Sequence, residues 1–504
     1  MIAVMFDLKK FHFSFFILVA ILLLGFGLRL SLALQSGAGY SDDSHWYMTL
    51  AQNLATGKGY TLFGVEHDRY PPGYPGLIIL FSAVFPNYED AGKYAALIFG
   101  TLSILLIFLL GRQLFDEKAG LFAAAIFSVL PLAVNYSILQ LSDAPFLFFY
   151  LLSLLFFFKA LEKPKLNLFL FFVFAGIATL IRTNGLIDFF PPLVLIFAWL
   201  FFFNREKFQN LLSKLPFAFL GFLITYGLFA LRNLLVFGSL FSGYVADNQK
   251  NTGQIYFQYL LDIPLEITIP VFALFLFSLF VVNWKDDKVK FFAFFTLPHI
   301  AFLMAWWGYD IRLMLNVLPF FAIFAGFGLV ELLKKLGLSR QRFFYLAMAL
   351  FLIFPIVNMA LKYDEFSMNS NRLLPLKQAA QFLNASIGND ELAIVGDVNI
   401  YGFQMGGKKI MDARAFPAFP QSLEGMVQVN AKYITLDNGV SYCYSDRFDF
   451  LNNKNFSIQN KLGPVEFDAP IGSGNYRFKF TPIKRFEYGL TFSQVYKIDY
   501  SQIG

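Results

Sequence analysis

Long, nearly unbroken apolar runs constrain this chain more than any other feature, and two of them cover residues 102–110 and 146–158. A surface helix of a soluble protein would show a polar stripe along one side. The runs therefore predict helices that face lipid or lie inside a helix bundle. Composition agrees, because 15% of the residues are charged, against about 25% in an average soluble protein. We expect a polytopic α-helical membrane protein.

A membrane-spanning helix needs about 20 mostly apolar residues. Eleven segments meet this requirement: 13–34, 92–111, 119–138, 144–161, 166–182, 186–203, 214–237, 264–283, 289–307, 313–333 and 342–361. The first is too long for the apolar core of a signal peptide, so we expect a retained helix. Residues 73–85 are apolar but few, and we interpret them as an interfacial or re-entrant segment.

Charge predicts the orientation of these helices. If residues 73–85 do not cross, one set of alternate loops shares a side with the basic N-terminus and collects these residues: Lys9, Lys10, Arg112, Lys118, Lys159, Lys163, Lys165, Arg205, Lys207, Lys214, Lys285, Lys288, Lys290, Lys334, Lys335, Arg340 and Arg342. Basic loops favour the cytoplasm. We therefore expect a cytoplasmic N-terminus in the plasma membrane, with the remaining loops on the outer face.

The last 140 or so residues differ in composition, with more Asp, Asn and Gly. They contain a helix-like stretch at 373–387 and strand-like stretches at 392–395, 433–436 and 492–498. We expect a transmembrane domain over 1–361 and an extracytoplasmic α/β domain over 362–504. The single cysteine, Cys443, excludes an intramolecular disulfide.

Two adjacent carboxylates, Asp42 and Asp43, follow the first predicted helix on the outer side. Like charges in contact resist ionisation together unless a cation or a donor is close. Such a pair suits a general base or a metal ligand. Alternatively, one carboxylate simply caps the helix that follows. Both interpretations stay open, and they are compatible.

Asp143 begins another apolar helix on the same side, just before Pro145. Helix capping explains it in structural terms. Together with Asp42 and Asp43, it also completes a set of carboxylates that could hold a divalent cation, Mg²⁺ or Mn²⁺, or orient an acceptor hydroxyl. The four histidines are scattered, so the sequence supports no histidine-based metal site.

Arg69, Arg182 and Arg312 lie on the outer side, against the general charge bias. A guanidinium at membrane depth is costly unless it is paired, and phosphate is a natural partner. For Arg69 the alternative is an interfacial side chain with its head group in water. For the other two the alternative is an ion pair with Asp188 or Asp310.

An ordered set of short motifs resembles the GT-C superfamily of membrane glycosyltransferases, in particular the group of protein O-mannosyltransferases and aminoarabinose transferases. The motifs are Asp42-Asp43, Ala51-Gln52-Asn53-Leu54, Gly57-Lys58-Gly59-Tyr60, Arg69-Tyr70-Pro71-Pro72-Gly73-Tyr74-Pro75, Ser142-Asp143-Ala144-Pro145, Gly176-Ile177-Ala178, Arg182-Thr183-Asn184-Gly185, Arg232-Asn233, Phe237-Gly238, and Arg312 followed by Pro319. They span most of residues 1–330. The tail from residue 362 onward resembles no family.

The resemblance implies an enzyme that transfers a sugar, with inversion, from a polyprenyl-phosphate carrier. Asp42 is then the base that deprotonates the acceptor, with Asp43 in support. Asp143 binds the acceptor, or shares a metal with Asp42. The donor phosphate is neutralised by Arg69, Arg182 and Arg312. Four further residues belong to the substrate loops: Tyr47, Asp68, Tyr70 and Tyr74.

Where some relatives have an acid–lysine pair, this chain has Asp68-Arg69, so the donor's sugar can differ. A transporter or flippase of lipid-linked glycans is the alternative, but it predicts ionisable residues or broken helices at the bilayer midplane. The ionisable residues here gather at helix ends. The net charge of +6 reflects the cytoplasmic loops, so no nucleic-acid partner is expected.

Overall fold

The computed structural model describes residues 12–36, 42–62, 64–240, 254–306, 308–388, 390–396, 398–405, 408–415, 421–437, 464–471 and 474–503. The chain divides into two compact units. The first comprises residues 1–35 and 50–364, and the second comprises residues 36–49 and 365–504. The boundary predicted between residues 361 and 362 lies within the helix Gln341–Ser370.

Helices build the first unit. They are α1 (His12–Gln35), α2 (Asp42–Ala55, continued from the second unit), α3 (Gly73–Ser82), α4 (Tyr88–Leu114), α5 (Glu117–Val129), α6 (Pro131–Asn135), α7 (Asp143–Ala160), α8 (Pro164–Ile181), α9 (Gly185–Phe203), α10 (Arg205–Leu212), α11 (Leu215–Phe222), a π turn (Leu223–Gly227), α12 (Leu228–Phe237), α13 (Gln258–Glu266), α14 (Ile269–Val281), α15 (Asp287–Ala305), a 3-10 segment (Ile311–Asn316), α16 (Leu318–Lys335) and α17 (Gln341–Ser370).

Among the described residues, eight helices are long and apolar enough to cross a membrane, and a bent pair could add a ninth. They correspond to eight of the eleven predicted segments and confirm a polytopic α-helical membrane protein. The count of eleven is not confirmed. The remaining three segments are irregular, because 119–138 is broken before Pro131, 264–283 bends by 108° between α13 and α14, and 313–333 begins in the 3-10 segment.

The apolar segment predicted at 73–85 forms the ten-residue helix α3. At 1.5 Å per residue such a helix is about 15 Å long, half of the roughly 30 Å that a membrane span requires. Its length therefore agrees with a segment that does not cross. Tyr74 fixes its first turn, because the buried hydroxyl donates to the Gly92 carbonyl at 3.0 Å.

The second unit contains a six-stranded sheet in the order β4-β3-β5-β8-β7-β6. Its strands are β3 (Leu392–Val395), β4 (Lys409–Asp412), β5 (Ala431–Asp437), β6 (Val465–Ile471), β7 (Gly474–Tyr488) and β8 (Thr491–Ile503), and its helices are α18 (Leu374–Ser386), α19 (Val398–Met405) and α20 (Gln421–Gln428). The strands β3, β4 and β5 are parallel, and the others pair antiparallel. The predicted α/β domain is confirmed.

The two faces of this sheet are covered by separate apolar clusters. Ile394, Ile434 and Phe478 are buried in one of them. Val395 and Val495 are buried in the other, which includes the apolar face of α18. Alternation along β5 and β8 therefore serves both faces, as expected for a sheet between two layers. Packing alone holds this unit, as the single cysteine predicted.

Candidate functional site

Asp143 and Arg182 form an ion pair through Asp143 Oδ1 and the Arg182 guanidinium. Asp143 is the first residue of α7 and Arg182 directly follows α8. Because α7 and α8 pack as an antiparallel hairpin joined by residues 161–163, the start of one helix and the end of the other meet. Two of the predicted site residues are thus brought together.

This pair lies in a largely closed environment. The Asp143 side chain is 5% exposed and that of Arg182 is 16% exposed. Among the described residues, the second carboxylate oxygen of Asp143 is buried and accepts no hydrogen bond. A polar substrate group could therefore be bound by that oxygen, or by the part of the guanidinium that Asp143 does not contact.

Asp188 does not pair with Arg182, so that alternative from the sequence is wrong. Asp188 Oδ1 instead contacts His299 Nδ1. The other ring nitrogen of His299 lies 3.2 Å from the Leu313 carbonyl oxygen. The sequence analysis missed this pair because Asp188 and His299 are 111 residues apart, and nothing in their spacing indicates contact.

Arg312 pairs with Asp310, with 2.6 Å between Arg312 Nε and Asp310 Oδ2. The Asp310 side chain also accepts a hydrogen bond from the Arg312 backbone N–H at 3.1 Å, which caps the 3-10 segment. The ion-pair alternative from the sequence is therefore confirmed for Arg312. Its side chain remains 22% exposed, so a second acceptor can still reach the guanidinium.

The loop before α3 is held by Arg232 from α12. The guanidinium contacts the Glu66 carboxylate and donates to the His67 carbonyl oxygen at 2.7 Å. Burial lowers the pKa of His67 to about 4, with a smaller opposing effect from Asp68. His67 is therefore neutral near pH 7. Its Nε2 accepts a hydrogen bond from the Tyr70 backbone N–H at 3.1 Å.

The same loop carries Arg69. The Tyr60 hydroxyl donates to the Tyr70 carbonyl at 2.6 Å, and the His67 ring stacks on the Tyr70 ring with 5.4 Å between centroids. The Arg69 guanidinium lies 5.4 Å from the centroid of Tyr70. Asp68 is half-buried beside it. The loop is thus ordered by several local contacts around the charged Asp68-Arg69 pair.

Gly73 places this loop against the turn that carries Arg182. A Cβ atom at residue 73 would lie 2.5 Å from the Leu180 carbonyl oxygen and 2.7 Å from the Ile181 nitrogen. Such distances are closer than van der Waals contact, so glycine is required there for the helix ends to approach. The segments that carry Arg69 and Arg182 are therefore packed together within the first unit.

The other predicted residues lie at the start of α2. Asp42 is the first residue of that helix, and its side chain lies outside the described part of the structure. Asp43 is half-buried and Tyr47 is buried. All three belong to the second unit, where His45 also contacts Phe403 at 6.2 Å between ring centroids. Their catalytic and substrate-loop roles stay predictions.

The described residues contain no group of three or more His, Cys, Asp or Glu side chains that could hold a metal ion. One oxygen of Asp143 already binds a cationic side chain, Arg182. The Asp42 carboxylate is not among the described groups. A Mg²⁺ or Mn²⁺ ion between Asp42 and Asp143 therefore stays a prediction.

The first unit, with its helices and its acid–arginine pairs at helix ends, places the protein among membrane proteins of the GT-C fold. Within the sequence, residues 69–230, about a third of the chain, match the family described as dolichyl-phosphate-mannose-protein mannosyltransferase. The match begins at Arg69 and includes Asp143 and Arg182. None of the curated proteins matches this sequence.

Two solved structures share the fold. The archaeal oligosaccharyltransferase AglB from Archaeoglobus fulgidus, in complex with an inhibitory peptide and a dolichol-phosphate, is 14% identical with a TM-score of 0.63, and the match covers 86% of this chain and 70% of AglB. ArnT from Cupriavidus metallidurans, bound to undecaprenyl phosphate, is 12% identical with a TM-score of 0.64, covering 83% and 92%. The resemblance to the GT-C superfamily is confirmed.

Proposed function

We propose that this protein is an inverting glycosyltransferase that moves a hexose or pentose from a polyprenyl-phosphate carrier to an acceptor on the outer face of the membrane. The observation that carries the proposal is the buried Asp143–Arg182 pair at the meeting point of α7 and α8. It lies within the matched residues 69–230 of a GT-C fold. AglB and ArnT, which share that fold, bind dolichol-phosphate and undecaprenyl phosphate.

The proposed reaction is one displacement. Asp42 accepts the proton of the acceptor hydroxyl or amine, whose lone pair attacks the anomeric carbon from the side opposite the phosphate. The bond between that carbon and the phosphate oxygen breaks, and the electron pair leaves with the polyprenyl phosphate. Arg69, Arg182 and Arg312 stabilise the negative charge of the departing phosphate. A phosphate needs no strong acid to leave.

Helix-end charges support the proposed orientation. Arg112 ends α4, Lys159 ends α7, and Lys334 and Lys335 end α16. These ends lie opposite the ends of α7 and α8 that carry Asp143 and Arg182. Because basic residues favour the cytoplasmic side, we place the acid–arginine pairs and the C-terminal domain outside the plasma membrane. No described contact favours the transporter or flippase alternative.

The test is transfer by purified protein. Wild type and Asp42→Asn are incubated with radiolabelled polyprenyl-phosphate sugars and cell-envelope extract, and label is followed into protein, lipid and glycan fractions. We expect wild-type transfer and a loss of about 100-fold or more in the variant, the range of general-base catalysis.

Asp116→Asn is the matched control. Asp116 caps α5 by accepting from the Ala119 N–H at 2.8 Å, and asparagine caps a helix equally well. Full activity of this control shows that replacing an aspartate by asparagine is not harmful in itself. Equal transfer by wild type and Asp42→Asn removes Asp42 from the mechanism. An absence of transfer and of polyprenyl-phosphate binding by wild type refutes the proposed function.

A further inference from the structure

Asp188 and His299 form a closed polar pair between α9 and α15. His299 Nδ1 contacts Asp188 Oδ1, and the His299 and Asp188 side chains are 3% and 1% exposed. His299 Nε2 lies 3.2 Å from the carbonyl oxygen of Leu313, in the 3-10 segment. One histidine thus joins three separate stretches of the first unit.

The bonding partners define where the hydrogen atoms lie. A backbone carbonyl can only accept, so Nε2 carries a hydrogen and donates it to Leu313. The hydrogen between Nδ1 and the Asp188 carboxylate is then shared by the pair, whichever side holds it. In either arrangement the pair has no net charge, which suits a buried position. Both nitrogens of His299 are satisfied.

The two ends of this link adjoin two of the arginines already described. Asp188 lies in the first turn of α9, which begins at Gly185 directly after the Arg182 turn. Leu313 directly follows Arg312 in the 3-10 segment. The Arg182 guanidinium also lies close enough to His299 to interact with it electrostatically. The pair therefore connects the segment of Arg182 to the segment of Arg312.

We propose that Asp188 and His299 are positioning residues that hold Arg182 and Arg312 at a set separation for the phosphate of a polyprenyl-phosphate ligand. This proposal rests on the proposed function and adds to it the pair that fixes the two guanidinium groups. Neither Asp188 nor His299 contacts the phosphate. Their effect is transmitted through the backbone of the Arg182 turn and of the 3-10 segment.

The 3-10 segment needs such support. It is six residues long, and its hydrogen-bond geometry is weaker than that of an α-helix. Leu313, Met314 and Leu315 are buried, but apolar contacts alone allow a sliding motion of about 1 Å. A displacement of that size can cost about 100-fold in a well-aligned site. A directional hydrogen bond to the Leu313 carbonyl resists it.

Two substitutions at Asp188 separate hydrogen bonding from charge. In Asp188→Asn, the amide N–H can donate to Nδ1 while Nε2–H still donates to Leu313, so both contacts survive with a neutral histidine. In Asp188→Ala the link to α9 is lost. A positioning role therefore predicts that asparagine rescues what alanine removes.

His299→Asn provides a second, independent break. Its shorter amide can still donate to Asp188, but it cannot reach Leu313. Thr296→Val is the matched control, because Thr296 is buried on the same helix and its hydroxyl bonds within that helix, to the Phe292 carbonyl at 3.2 Å.

The experiment measures binding of undecaprenyl phosphate and dolichyl phosphate to the full-length protein in detergent, together with the donor KM and kcat. We expect wild type, Asp188→Asn and Thr296→Val to agree within about twofold, and Asp188→Ala and His299→Asn to bind about tenfold more weakly. Donor KM rises with them, while kcat at saturating donor changes less than threefold. A merely structural role would lower the active fraction without moving KM.

Wild-type binding with unchanged affinity in both Asp188→Ala and His299→Asn overturns the positioning role and leaves the proposed function intact. The same holds if Asp188→Asn is as weak as Asp188→Ala, because a charge is then required. If Asp188→Ala does not fold, His299→Asn decides. A wild type that binds neither lipid phosphate overturns both proposals.

Discussion

Replacing Asp143 by asparagine is expected to tighten the binding of a lipid phosphate while it lowers turnover. Asp143 occupies part of the Arg182 guanidinium. A phosphate bound by the rest of that guanidinium competes with the carboxylate for its charge and is repelled by it. The asparagine side chain removes this repulsion and keeps a similar shape. The substitution also removes the acidic oxygen that we expect to orient the acceptor.

The magnitude follows from the geometry of the pair. A phosphate on the far side of a guanidinium lies about 7 Å from the first carboxylate, and at an effective dielectric constant near 20 the repulsion is about 2 kcal/mol. Loss of the hydrogen bond that orients Arg182 offsets about 1 kcal/mol. The remaining gain of about 1 kcal/mol corresponds to roughly fivefold tighter binding.

The assay is binding of radiolabelled undecaprenyl phosphate to wild type, Asp143→Asn, Arg182→Gln and the double variant. Asp143→Asn is expected to bind tighter and to lose about tenfold in kcat. Arg182→Gln is expected to bind more weakly, and the double variant to equal Arg182→Gln. Weaker binding by Asp143→Asn, or the same gain without Arg182, refutes the reasoning. Unchanged kcat counts against a role for Asp143 in the reaction.

Gly73→Ala is expected to lower the melting temperature and weaken polyprenyl-phosphate binding, because its Cβ overlaps the backbone at Leu180. The matched control Gly76→Ala has no neighbouring atom within 4 Å and should behave as wild type; equal behaviour of the two variants contradicts the close approach. His67 has a pKa lowered to about 4, so its neutral form stabilises the folded loop near neutral pH, and this contribution, as much as about 3 kcal/mol, is lost as pH falls from 6.5 toward 4. Melting temperatures between pH 7 and 4.5 should fall less for His67→Asn than for wild type, and parallel profiles contradict the prediction.

Hydrophobic runs predicted eight spans correctly because a membrane helix must be apolar along its whole length. The irregular segments were not predicted. Leu130-Pro131 breaks one helix, and the chain bends by 108° between α13 and α14. In both places neighbouring helices decide where the backbone turns, and hydropathy does not carry that information.

The candidate site was predictable where adjacency along the chain implies proximity. Asp143 and Arg182 meet because a helix hairpin brings its two ends together. The partner of Arg312 is two residues away, at Asp310. The Asp188–His299 contact joins helices that are distant in sequence, so it follows from the packing of α9 against α15. The sequence shows two ordinary polar residues in apolar helices.

The most direct test of this account is a cryo-electron microscopy structure of the full-length protein in lipid nanodiscs with undecaprenyl phosphate. The account predicts density for the phosphate within hydrogen-bonding distance of the Arg182 guanidinium, at the membrane side opposite Lys159 and Lys334. A phosphate bound at the Lys159 side, or one that touches none of Arg69, Arg182 and Arg312, contradicts it.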